Sequence, residues 1–78
     1  MEKIAIDNIV SSNVKYVELD GTTMAVKFRS GVYEYYDVDP EIFNLNMSPE
    51  AIADKWGGSY GKAVRRVALG LKYKKVSS

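Results

Sequence analysis

The sequence predicts an α+β domain: a three-stranded antiparallel β-meander with two to three short helices packed on one face, open to a short C-terminal strand. Three observations predict it. Residues 13–38 alternate apolar and polar side chains in three runs, parted by Asp20-Gly21 and Ser30-Gly31; that is the period of half-buried strands joined by tight turns. Beyond residue 38 the spacing lengthens to that of helices, and a capping residue precedes each helical run. With 78 residues in all, the chain reads as one domain, 1–78.

The elements follow in order. Residues 4–9 mix apolar and acidic side chains and read equally as an edge strand or a covering loop. Residues 13–19 are rich in valine and tyrosine, which suit a pleated, half-buried surface. Asp20-Gly21 is a strong hairpin signal, because glycine accepts the positive φ that tight hairpin turns need. In the next run Met24, Val26 and Phe28 share one face, and Lys27 and Arg29 the other. Residues 32–38, dense in aromatic and β-branched side chains, return as the third strand. Asp39-Pro40-Glu41 and Ser48-Pro49-Glu50 repeat one grammar: a cap, proline in the first turn, then an acid at the positive end of the helix dipole. The first opens a short turn carrying Ile42, Phe43 and Leu45; the second opens a helix over 49–56 that Gly57-Gly58 ends. Ser59 caps a third helix to about residue 68, with Tyr60, Ala63, Val64, Val67 and Ala68 as its apolar stripe. Gly70 closes it. Residues 71–76 alternate once more, as a short strand or as an extended tail lying on the domain.

Composition narrows the chemistry. Hydrophobic residues make up 46% of the chain, enough for a core, although a domain this small buries only about 60% of its unfolded surface. There is no cysteine and no histidine. Disulfides, thiolate zinc sites and cysteine nucleophiles are excluded, and so are the commonest general base and the commonest metal ligand. Apolar runs are too short to span a membrane or to form a signal-peptide core. The expectation is a soluble, cytoplasmic, non-enzymatic protein with no cofactor, no metal and no membrane partner. Formal net charge is +1, yet residues 1–54 carry four basic and ten acidic side chains, a balance of −6, whereas residues 55–78 carry seven basic and no acidic ones.

Ser11-Ser12-Asn13-Val14, a hairpin, and then the phrase from Phe28 to Val38 (Phe-Arg-Ser-Gly-Val-Tyr-Glu-Tyr-Tyr-Asp-Val) before a proline-started helix resemble the KTSC domain. Gly58-Ser59-Tyr60 ahead of a basic helix and the closing Tyr73-Lys74-Lys75-Val76 extend the resemblance over about residues 9–76. That family is named for its place at the C-terminus of some lysyl-tRNA synthetases and also occurs as small stand-alone bacterial and phage proteins. The resemblance implies an α+β meander with packed helices and an association with RNA-handling enzymes, and it implies no catalytic residues. Residues 48–56 stand as additional helical material relative to the family pattern.

Several clusters are candidate sites. On a helix Lys62, Arg65 and Arg66 share a face of about 100° opposite the apolar stripe. Lys72, Lys74 and Lys75 extend the positive region, with Lys55 upstream. Such a patch would neutralise phosphates of RNA or DNA; its plain alternative is a solvated helix face whose charges pair with the acidic half. Lys15, Lys27 and Arg29 lie on strands near Tyr33, Tyr35 and Tyr36, the mixture of aromatic and basic groups that single-stranded nucleic acid platforms use. Alternation sets Tyr33 and Tyr35 on one face and Tyr36 on the other, with burial in the core as the competing role.

Glu34, Asp37, Asp39 and Glu41 form an acidic cluster, with Glu18 and Asp20 a hairpin away. It lacks calcium-loop spacing and reads better as a docking surface for a basic protein. Ser11-Ser12 reads as turn chemistry or a contact site. Gly57-Gly58-Ser59 resembles an anion-binding helix start but lacks the Gly-Lys-Ser/Thr of a nucleotide loop. Trp56 is expected to anchor the core. Two functions are carried forward. The first is a nucleic-acid-binding module using Lys62, Arg65, Arg66, Lys72, Lys74 and Lys75, with Tyr33, Tyr35 or Tyr36 stacking a base. The alternative is a small phage-encoded protein-interaction factor that binds and blocks a host or defence protein, in the manner of an anti-CRISPR. Opposite charge poles would also allow self-association into a homo-oligomer.

Overall fold

The computed structural model describes residues 3–6, 9 and 13–77, so the Ser11-Ser12 pair lies outside the described residues. The chain runs β1 (Lys3–Ile6), β2 (Val14–Asp20), β3 (Thr23–Phe28), β4 (Gly31–Tyr35), α1 (Pro40–Met47), α2 (Pro49–Asp54), α3 (Tyr60–Val67) and β5 (Tyr73–Ser77). The strands form one antiparallel sheet in the order β1-β2-β3-β4-β5. The expected meander is therefore the centre of a wider sheet. Residues 3–6 resolve the open choice in favour of an edge strand, and residues 73–77 add the opposite edge.

Two tight turns set the register. Asp20 pairs with Thr23, leaving a two-residue loop of Gly21 and Thr22. Gly21 has φ 64°, the sign a type II′ hairpin turn requires at its first central residue. Phe28 pairs with Gly31 around Arg29-Ser30, and Gly31 adopts φ 145°, a value that side chains oppose. In this register Val17 and Leu19, Met24 and Val26, and Tyr33 and Tyr35 align on one face. Glu18, Ala25, Glu34 and Lys74 align on the other.

The third strand is shorter than its alternation suggests. β4 stops at Tyr35 because Asp37 takes a left-handed φ of 59° and turns the chain. Val38 thereby leaves the strand and enters the core at 1% exposure, its N–H bonded to the Thr22 carbonyl across the first hairpin. The helix caps are the expected ones. The Asp39 carboxylate accepts from the Glu41 N–H (2.9 Å), and the Ser48 and Ser59 hydroxyls accept from Ala51 and Lys62 N–H (3.2 Å each). α1 extends to eight residues rather than a single turn, whereas α2 ends at Asp54, before Trp56.

The helices close over β2 and β3. Val14, Val17, Leu19, Met24 and Val26 from the strands meet Phe43 and Met47 of α1, Ile52 of α2, and Ala63, Val64 and Val67 of α3 in one cluster. Trp56 packs against this cluster as expected, although its indole Nε1 is buried without a hydrogen-bond partner among the described residues. Leu45, expected among the apolar residues of the first helix, is 58% exposed. Phe43→Ala should therefore cost about 3–5 kcal/mol through lost burial and the cavity left behind, whereas Leu45→Ala should change stability by under about 0.5 kcal/mol. Urea denaturation of both variants checks the assignment; comparable losses would contradict it.

Candidate functional site

The helical layer stops short of β4 and β5. What remains is a surface groove of about 1160 Å³ with α3 as one wall and the uncovered end of the sheet as the other. That volume exceeds the roughly 300–1,000 Å³ typical of small-molecule pockets. The sheet wall is an aromatic strip. Phe28 and Tyr33 meet edge to face with ring centroids 5.6 Å apart, Tyr33 and Tyr73 lie 6.1 Å apart, and Tyr35 and Tyr73 5.7 Å apart. Such spacings suit offset and tilted ring pairs. Tyr73 is 63% exposed, so its ring is available to a ligand.

Burial, with the neighbouring hydroxyls of Tyr33 and Tyr73, pushes the Tyr35 phenol above its ordinary range. Its hydroxyl therefore stays protonated at neutral pH and can donate a hydrogen bond.

Cations flank the strip. Arg29, Lys62 and Arg65 line the groove, and Lys75 Nζ stands 5.8 Å from the Tyr33 ring centroid, within cation–π range. α3 places its cations this way because Ala63, Val64 and Val67 turn inward, which leaves Lys62 and Arg65 outward by the helical period. Among the described residues none of the seven basic side chains of residues 55–78 forms an ion pair with a carboxylate. The pairing of the two charge poles that the sequence allows is thus not found there.

The other sequence-derived residues are dispersed. Arg66 is exposed on α3 but does not line the groove. Lys72 precedes β5, where its carbonyl accepts the Tyr36 N–H. Lys74 pairs in register with Glu34 on the opposite face of the sheet, and lysines on an edge strand also discourage edge-to-edge association. Tyr36 lies on that opposite face as well, its hydroxyl donating to Glu34 Oε1 (3.2 Å). Desolvation, and then the Glu34 carboxylate, raise the Tyr36 phenol. Lys15 is exposed at the register shift in β2, and Lys27 is exposed on the far face.

The groove residue that sequence reasoning missed is Tyr73. The alternation over 71–76 held the signal, because a strand there beside β4 brings residue 73 next to Tyr35.

The acidic set separates too. Asp37 makes the turn after β4, Asp39 caps α1, and Glu41 sits in its first turn. Glu34 instead joins Glu18, Asp20 and Tyr36 around a shallow depression of about 430 Å³ on the far face. Lysines share that face, since Lys3 Nζ lies 3.2 Å from Glu18 Oε1. No group of three or more potential metal ligands occurs among the described residues. Gly57 and Gly58 adopt φ 56° and 86° between α2 and the Ser59 cap, a helix stop followed by a helix start. No helix is long and apolar enough to cross a membrane. No family model, no curated protein and no solved structure matches the chain.

The far face offers a pH test. The Tyr16 hydroxyl donates to Glu18 Oε1 at 2.6 Å. That bond, assisted by Lys3 and opposed by desolvation, holds the Glu18 carboxyl below its ordinary range. A carboxylate whose pKa is lower folded than unfolded stabilises the fold above the unfolded pKa, and the contribution disappears as pH falls through the folded value. Glu18→Gln should lower stability by about 0.2–1 kcal/mol at neutral pH and converge with the parent chain in acid. Paired thermal melts at the two pH values check this; an undiminished difference in acid would contradict it.

Proposed function

We propose that the chain is a non-enzymatic binding module that holds single-stranded nucleic acid in the groove between α3 and β4–β5. The observation that carries the reading is the juxtaposition of a half-buried aromatic strip, ending in the exposed Tyr73, with cations that have no carboxylate partner among the described residues. Unpaired bases stack on aromatic side chains, and the backbone is held by positive charge alongside, a combination tolerant of sequence. A duplex hides the faces of its bases, so the strip favours single strands. Lys62 and Arg65 contact phosphates, Tyr73 and Tyr33 stack bases, and Lys75 moves between the Tyr33 ring and the ligand backbone. The resemblance to the KTSC domain, with its link to RNA-handling enzymes, supports the same direction. The competing protein-interaction reading has less support, because its carboxylates are spread over a turn, a cap and a sheet face that also carries lysines.

Fluorescence anisotropy with short fluorescein-labelled oligouridylate and oligodeoxythymidylate tests the proposal. Replacing Lys62 and Arg65 together by alanine should reduce the slope of log affinity against log salt by about 1.4, two phosphate contacts at about 0.7 each on a single strand. Tyr73→Ala should cost about 1–3 kcal/mol with the slope unchanged. Absence of binding at low salt would overturn the reading, and a stoichiometric protein partner surviving nuclease treatment would favour the competing one.

A further inference from the structure

Five of the six glycines in the chain have positive φ and so answer to backbone conformation. Gly61 does not. It lies in the first turn of α3 with ordinary helical sign, and a Cβ built on it would meet nothing closer than Ser59 Oγ at 4.0 Å, ordinary contact. Neither φ nor packing requires a glycine here, and glycine weakens a helix relative to alanine through its backbone entropy. Yet Gly61 faces the groove, next to Lys62 and one turn from Arg65, on the wall across from the tyrosine strip.

Resting on the nucleic-acid reading above, we infer that Gly61 is a notch that admits the sugar–phosphate backbone of a single strand against the main chain of α3. This deepens that reading by giving the ligand an orientation. The phosphodiester chain runs along the helical wall between Lys62 and Arg65, and the bases point across the groove onto Tyr73 and Tyr33. Glycine serves at such a place because only a missing side chain lets a second backbone approach so closely. The reverse orientation, with bases against α3, would set flat rings on a wall lined by Lys62 and Arg65 and leave the aromatic strip facing charged phosphates.

Substitutions at Gly61 test the inference without touching a charge or an aromatic ring. Gly61→Ala and Gly61→Leu in the full chain are titrated with fluorescein-labelled oligouridylate at several salt concentrations and melted in parallel. Gly61→Ala should keep or raise the melting temperature, since its added Cβ meets nothing closer than ordinary contact and alanine is the better helix former. Affinity should fall stepwise, about tenfold or more for leucine, the equivalent of about 1.4 kcal/mol, with the salt slope unchanged. Undiminished affinity in Gly61→Leu, while Lys62→Ala with Arg65→Ala still weakens binding, overturns the notch and leaves the groove reading in place. Weakened affinity with a lowered melting temperature also overturns it, because the glycine would then serve the fold. No binding by the parent chain removes the nucleic-acid reading, and the notch with it.

Discussion

The register of the β2–β3–β4 meander is the constraint on which the rest of the molecule depends. Two two-residue turns hold it, and in a strand a slip of one residue moves every side chain to the opposite face. In the observed register the aliphatic residues of β2 and β3 and the tyrosines of β4 share a face. Core and groove are therefore neighbouring parts of one surface. Where the three helices cover it, valine and methionine are fully buried; where the helices stop, the same row of side chains continues as an aromatic strip at the surface. A shift of one residue would expose the aliphatic half and bury Glu18 and Glu34 against the helices.

The small size of the domain explains why the strip is uncovered. Helices of eight, six and eight residues are about 9–12 Å long at 1.5 Å per residue, and the cluster they close lies over β2 and β3. Burial is spent on β2 and β3, where Val14, Val17, Met24 and Val26 are fully enclosed. Tyrosine suits the uncovered remainder, since its ring packs on apolar neighbours while its hydroxyl accepts exposure. The two faces differ accordingly in electrostatics. On the groove side cations stand beside tyrosine rings, whereas on the far face Glu18 and Glu34 accept from tyrosine hydroxyls and Glu18 also pairs with Lys3.

Local signals in the chain had uneven reach. Caps at Asp39, Ser48 and Ser59, the turns at Gly21 and Gly31, and the inward stripe of α3 were all legible, because each is decided within a few residues by hydrogen bonding or steric rules. The end of β4 was not: the alternation runs on to Val38, and the left-handed Asp37 that breaks it has no unambiguous signature. The edge strands were ambiguous for a different reason, since a short strand is defined by the partner that accepts its hydrogen bonds. β5 is exposed along its length and exists by pairing with β4. Without that pairing Tyr73 could not be placed beside Tyr35, and the groove lacked its most exposed ring.

The residues themselves specify an α+β chain with a central meander, two to three capped helices and a basic excess concentrated in the last third. Those properties rest on period, turn chemistry and composition, which act over short stretches. Where that positive charge points depends on tertiary packing. It scattered the six basic residues of the candidate patch, bringing Lys62, Arg65 and Lys75 to the aromatic strip, leaving Arg66 outside the groove and Lys72 ahead of β5, and sending Lys74 to the far side. For Lys74 and Lys75 the reason is geometric: adjacent residues of a strand point in opposite directions, and the face each one takes is set by a neighbouring strand about forty residues away in the chain.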